Sequence, residues 1–319
     1  MNMTTRAFKR RYTANRTEGS KRSKLAKTAL GLTVSHHPDL VSRGAHSDRG
    51  RQRSHNEDAY ALPPPGADES ARGTLLVVAD GVGGLAGGAA ASREAVHYLQ
   101  ALYYAQTGSD PLEDRLRECV QAVNLFNRAA QQRFDQSGQR LTTLVAAVVY
   151  NETIWVANVG DSRAYLVQAK DQQRRQLTED HSFGKTGSDS PDEQAGAITQ
   201  AIGLEEQCQV DIYRYQWQPG DRLILCSDGL AYLTAPVMVQ LALHNSPQTA
   251  AEALVARANT EDGSDNSTAI VIGWEKSPIS NLERDRARSR QRPRKSFLVP
   301  LLVGLIFGWL SAVSFFLSF

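Results

Sequence analysis

Cysteine is scarce: Cys119, Cys208 and Cys226 are the only 3 in 319 residues, and they stand too far apart for any zinc-ligand spacing. An odd set of isolated cysteines argues against a disulfide scaffold and suits a reducing cytosol. The N-terminal segment lacks an apolar run, which excludes a secretory signal peptide there. Positive charge is missing at two telling places. No Lys, Arg or His lies within 3 positions of Asp80 or Asp228, although each aspartate stands where an apolar run ends.

What is present is a series of four acidic signatures: RSHNED (Arg53 to Asp58), ADGVGG (Ala79 to Gly84), CSDGL (Cys226 to Leu230) and SDNST (Ser264 to Thr268). The apolar stretches Thr74 to Ala79, Arg222 to Cys226 and Thr268 to Trp274 read as strands, and carboxylates at strand ends are held rigidly, as a hard cation requires. If Asp58, Asp80, Asp228 and Asp265 converge, each pair about 4 Å apart repels by about 4 kcal/mol at an effective dielectric of about 20. A divalent cation with oxygen ligands is the natural counter-charge. One Asp-Gly pair ending a strand is most often only a turn, and Asn56-Glu57-Asp58 alone could be a solvated loop. Only their conjunction, with an Arg 3 residues before Asn56, points to one site.

Hydrophobic spacing predicts helices over Gly87 to Ala105 and Asp110 to Phe134, the second with Asp110 as N-cap and Pro111 in its first turn. In that helix Leu112, Leu116, Val120, Val123, Phe126, Ala130 and Phe134 form a core face. Leu144 to Tyr150, Ile154 to Val159 and Ala164 to Val167 read as consecutive antiparallel strands, with Asp161 in the hairpin turn between the last two. A helix over Thr249 to Ala258 and a closing strand from Ala269 to Trp274 complete a layered α+β pattern.

Charge is segregated. Met1 to His37 carries 9 Lys and Arg against 1 Glu, and Glu283 to Lys295 carries 7 against 2 acids, so Pro38 to Leu282 keeps 20 basic and 31 acidic residues and is near −11. The expected domains are a basic, disordered tail (1–37), a catalytic domain (38–276), a basic linker (277–296) and a transmembrane helix (297–319). The last stretch has 23 residues and no charge, about 35 Å of helix against a hydrocarbon core of about 30 Å. The basic linker before it predicts that the main domain faces the cytoplasm. For the N-terminal tail, anionic lipid and nucleic acid are alternatives to a solvated role, and no nucleic-acid partner is expected.

The motifs together resemble the metal-dependent type 2C protein serine/threonine phosphatases over about Pro38 to Trp274. The resemblance is carried by Arg53 with Asn56-Glu57-Asp58, Asp80-Gly81-Val82-Gly83-Gly84, Thr142-Thr143, Gly160-Asp161-Ser162-Arg163, Leu177 with Asp180-His181-Ser182, Ser227-Asp228-Gly229, and Asp265-Asn266 with Thr268. It implies two stacked antiparallel β-sheets flanked by helices, a four-layer sandwich. It also implies two Mg²⁺ or Mn²⁺ ions sharing a water that attacks phosphorus in line, with no phospho-enzyme. By the same resemblance Asp80 bridges the ions, Glu57 and the Gly81 carbonyl serve one, Asp228 and Asp265 the other, and Asp58 orients metal-bound water. Asp161 either helps hold a third, looser ion or is only a turn residue. Arg53 is the phosphate clamp, since a planar guanidinium grips two phosphate oxygens at any relevant pH. Arg163, His181 and His55 read as structural.

The chain departs from the pattern at Val82, where eukaryotic relatives often carry a His that acts as general acid, and at Leu141, where a Gly is usual. The loop after Asp180-His181-Ser182 is also short, with 15 residues before Ile198. The expected protein is a bacterial, membrane-anchored phosphatase acting on phosphoserine and phosphothreonine in proteins and opposing a serine/threonine kinase. An anti-sigma-pathway phosphatase and a catalytically dead, membrane-tethered phosphoprotein scaffold are the alternatives; a fused regulatory domain would favour the first, a lost ligand the second.

Overall fold

The computed structural model describes residues 41–82, 86–133, 140–183 and 197–275. Strands β1 (Val41–Asp48), β8 (Arg163–Gln168), β9 (Gln173–Gln176), β11 (Arg222–Cys226) and β12 (Ser267–Trp274) make one sheet in the order β1-β12-β11-β8-β9. Strands β2 (Ala59–Ala61), β3 (Thr74–Ala79), β6 (Leu144–Tyr150), β7 (Thr153–Val159) and β10 (Asp211–Gln216) make the other, ordered β10-β7-β6-β3-β2. A short ribbon pairs β4 (Gly81–Val82) with β5 (Leu141–Thr142), and pairing within all three is antiparallel.

The two sheets stack because their central strands, β3, β6, β11 and β12 among them, are apolar on both faces. In β3 and β6, Leu76, Val78, Val145, Ala147 and Val149 face Leu166, Leu223, Leu225, Ile270 and Ile272 of the opposite sheet. The alternate residues Leu75, Val77, Ala146 and Val148 face helices α2 (Ala86–Ala105) and α3 (Leu112–Arg133), while the one-turn helix α1 (Glu69–Arg72) leads into β3. On the far side, Tyr165, Val167, Ile224 and Val271 pack against α4 (Ala235–Leu243) and α5 (Pro247–Glu261). The result is the expected α+β sandwich of four layers.

Several local expectations need correction. Asp161 is not in a hairpin, since β7 pairs with β6 and β10 while β8 pairs with β11 and β9 in the other sheet. The chain crosses between layers at Gly160, whose φ of +104° suits glycine and where a Cβ would lie 2.7 Å from the Thr143 side chain. Asp110 does not cap α3: the Pro111 carbonyl takes the first helical bond, from Arg115 N–H at 3.0 Å. The core face of α3 runs through Leu116, Val120, Val123 and Ala130, but Phe126 lies at its rim, 36% exposed with its ring tilted against Tyr98, and Asn127 is buried in its place. Helix α5 begins two residues earlier than expected, because Ser246 caps it and Pro247 starts it. Strands β1, β9 and β10 and helix α4 had no clear periodic signal.

The Leu141 departure costs no pairing, since Val82 faces Leu141 and Gly81 faces Thr142 in the ribbon. The predicted tail, linker and span at 297–319, with Phe134 and most of the short loop after Ser182, lie outside the described residues. Among the described residues no helix is long and apolar enough to cross a membrane.

The layer between the sheets should dominate stability. Leu225→Ala is expected to cost about 2–5 kcal/mol in urea unfolding, and Leu125→Ala, on an exposed face of α3, less than about 0.5 kcal/mol.

Candidate metal centre

Loops bring the acidic residues to one end of the sandwich. Asp58 lies between β1 and β2, Asp80 between β3 and β4, and Asp161 on the crossover, while Asp228 follows β11 and Asp265 precedes β12. Strands β1, β11 and β12 belong to one sheet and β2 and β3 to the other, so the site is assembled across the layers.

The electrostatics show the convergence. Burial pushes Asp80 well above the ordinary carboxylate range, and Asp58, Asp228, Asp265 and Asp161 each add to the rise. Burial likewise pushes Asp58 up to about 7, against the pull of hydrogen bonds from Thr268 and Ser227. Asp161 is pushed up to about 7 by burial and then by the charge of Asp228. Asp228 is raised by burial and by Asp265, and drawn back by a hydrogen bond with Asp80 and by Arg163 and Arg53. Part of the positive charge that Asp228 lacks in its own stretch of sequence is therefore supplied across space.

The residues present suit a hard cation. Asp58 Oδ1 and Asp228 Oδ1 are buried and find no hydrogen-bond partner among the described residues, and such oxygens are costly to leave unpaired. The charge of Asp228 disfavours ionisation of Asp80, and a cation offsets that repulsion. Among the described residues no three His, Cys, Asp or Glu side chains close around a single point. An open arrangement accords with Mg²⁺-type sites, where waters fill much of the coordination shell.

Hydrogen bonds hold the acidic loops in place. Asp58 Oδ2 accepts from Ser227 Oγ at 2.8 Å and Thr268 Oγ1 at 2.6 Å. The Asp80 N–H donates to Thr143 Oγ1 at 3.0 Å, and the Asp80 carbonyl accepts from Thr142 Oγ1 and from Thr143 N–H, both at 2.8 Å. Thr143 in turn bonds Ser162 Oγ at 2.7 Å, tying the Asp80 loop to the crossover. Asn266 accepts from Glu57 N–H at 2.8 Å and donates to the carbonyls of Arg49 and His55. The Glu57 carbonyl accepts from Gly81 N–H at 3.2 Å. Gly81 also abuts α2: a Cβ there would come within 2.4 Å of the Gly88 carbonyl carbon. A Cβ on Gly88 would sit 3.1 Å from Glu57 Oε2, which places the Glu57 carboxylate at the N-terminal turn of α2, a favourable end for negative charge.

Arg53 lies on the cluster, donating from Nη2 to Asp265 Oδ2 at 2.7 Å. Arg163 is engaged elsewhere, gripping Asp180 with Nε at 3.0 Å from both oxygens and Nη2 at 2.5 Å from Oδ2. His55 bonds Ser54, and His181 bonds the crossover and Asp211. Sequence reasoning assigned no task to Ser227, Thr268, Thr143 or Asn266. Their only signal was membership of the motifs.

Residues 46–269 match the family model described as protein phosphatase 2C, and the chain belongs to that family. It is 33% identical over 241 residues to the serine/threonine phosphatase stp of Listeria monocytogenes, covering 71% of this chain and 93% of that one. The crystal structure of the Mycobacterium tuberculosis serine/threonine phosphatase PstP/Ppp superposes with a TM-score of 0.62 at 28% identity, over 74% of this chain and 99% of that one. A structure of the PstP catalytic domain in complex with two manganese ions is 29% identical, with a TM-score of 0.60, over 74% of this chain and 99% of that one.

Without cations the raised carboxyls tie stability to pH. The native state holds their protons to about 7 for Asp58 and Asp161, whereas the ordinary value is 3.8. Their stabilising share is thus complete below about 4 and lost as pH rises through about 7. In EDTA the melting temperature should fall between about pH 5 and pH 8, and Mn²⁺ should raise it most at the upper end. A melting temperature in EDTA that stays level across this range would contradict the convergence.

Proposed function

We propose that the chain hydrolyses phosphoserine and phosphothreonine in proteins, using two Mg²⁺ or Mn²⁺ ions. The observation that carries the reading is the set of carboxylates from five connections, with buried Asp58 and Asp228 oxygens left without partners among the described residues. Asp80, Glu57 and the Gly81 carbonyl would hold one ion and Asp80, Asp228 and Asp265 the other, with Asp58 orienting water through the oxygen not bound by Ser227 and Thr268. Such ions, once bound, supply an acidified water near neutral pH and offset phosphoryl charge. Arg53 would then leave Asp265 to take two phosphate oxygens, the geometry that favours Arg over Lys. Val82 supplies no proton for the leaving group. Asp161, at the edge of the cluster, would help hold a third, looser ion.

Residues 297–319 would anchor the chain in a membrane, with the basic linker holding the catalytic domain at the cytoplasmic face, where it opposes a serine/threonine kinase. The uncharged run of 23 residues and the 7 basic residues before it support this reading. The dead-scaffold alternative gains nothing from the residues, because Asp80, Asp228 and Asp265 are all retained.

The full-length chain should release phosphate from a phosphothreonine peptide with Mn²⁺ and not in EDTA. Asp80→Asn and Asp228→Asn should each lower kcat/KM by roughly a hundredfold or more. A folded, metal-binding protein without turnover would return the weight to the scaffold. For the anchor, the chain should stay in the membrane pellet after alkaline carbonate extraction and become soluble when 297–319 are removed. Release of the intact chain by carbonate would end the membrane reading.

A further inference from the structure

Asp180, His181 and Ser182 stand between two of the loops that build the site. Toward the crossover, Asp180 grips Arg163, while His181 holds Gly160 by two bonds: His181 N–H donates to the Gly160 carbonyl at 3.0 Å, and Gly160 N–H donates to His181 Nδ1 at 3.2 Å. Both residues flanking Asp161-Ser162 are thereby fixed. Toward the other side, the His181 carbonyl accepts from Thr199 N–H at 2.8 Å, and Ser182 bridges Ile198. The run from Ala197 then reaches Ile202, which exchanges backbone bonds of 2.8 and 3.3 Å with Thr142. Thr142 carries the Asp80 carbonyl on its hydroxyl. The loops of Asp161 and Asp80 are thus joined through His181.

The imidazole has only one tautomer that fits. Gly160 N–H needs a bare Nδ1, so the proton resides on Nε2, where Asp211 Oδ2 receives it at 2.9 Å. The side chain is 9% exposed, too enclosed for water to replace these bonds freely.

We propose that His181 is a positioning residue, held in its Nε2–H form by Asp211, that fixes the Asp161 turn against Asp80 and Asp228 without touching the reacting atoms. The inference rests on the metal-site reading above, and it is tested by binding as well as by turnover. In the full-length chain in detergent, a calorimetric Mn²⁺ titration of His181→Phe should show the loosest binding step weakened by about tenfold, the scale of one lost buried hydrogen bond. His181→Asn, which keeps an acceptor at the Nδ1 position, should stay within about threefold of the parent. Combined with Asp161→Ala, His181→Phe should add no further loss, because both act on the same step. Additive losses, or equal impairment by Asn and Phe, would overturn the proposal and leave His181 a general structural residue. Should His181→Phe fail to fold, Asp211→Leu reaches the same tautomer from outside and should weaken the same step; an unchanged step would count against the idea. Long-range ¹H–¹⁵N spectra in EDTA should place the His181 proton on Nε2, and a proton on Nδ1 would overturn it directly. Parent protein that binds Mn²⁺ but turns over no phosphopeptide would sink the phosphatase reading and leave this one standing. A parent that binds no Mn²⁺ would sink both.

Discussion

Burial first, and the charges of neighbouring carboxylates second, raise the proton affinity of Asp58, Asp80, Asp161 and Asp228, so the end of the sandwich where they meet holds charge that the fold alone does not neutralise. Such an arrangement persists only if the surrounding structure holds it together more strongly than the charges push it apart. Two features supply that restraint. The first is a pair of sheets buried on both faces, which fixes the strand ends in two layers. The second is a set of neutral hydroxyl and amide groups that grip the acidic loops: Ser227 and Thr268 on Asp58, Thr142 and Thr143 on Asp80, Asn266 on Glu57. Neutral groups serve better than cations here. They hold the carboxylates in place without cancelling the charge that draws in a metal ion.

The acidic residues themselves were legible because each lies in a short motif at the end of an apolar run. Strands β3, β6 and β11 have the predicted limits for the same reason, since burial on both faces leaves an unbroken apolar segment. Where one face meets solvent the signal weakens. The edge strand β9, Gln173–Gln176, carries no apolar residue, and β10 mixes Tyr with Arg and Gln. Asn127 was hidden for another reason: it takes a buried position at helical spacing that an apolar residue would normally fill, so attention fell on the nearby Phe126.

The supporting hydrogen bonds were illegible on different grounds. Asp58 and Thr268 are separated by 210 residues, and Glu57 and Asn266 by 209, so no local pattern links them. The crossover at Gly160 was misread because a short polar turn between two apolar strands ordinarily makes a hairpin. Its positive φ and the close approach of Thr143 are facts of tertiary packing. Arg53 was found as a candidate clamp, but its pairing with Asp265 needed the folded chain.

Because Asp80 hangs from one sheet and Asp228 and Asp265 from the other, the spacing of the centre is also a measure of how the two sheets are aligned. A slide of one layer over its neighbour, too small to expose any apolar surface, would spread or close the carboxylates. An ion bound among them acts in return as a rivet through the layers, a cross-link made without cysteine in a chain whose three thiols are all buried and unpaired. Side chains between the sheets, such as Leu76 and Leu225, therefore serve a second purpose as shims. Their volumes set the gauge at which the metal-holding groups stand.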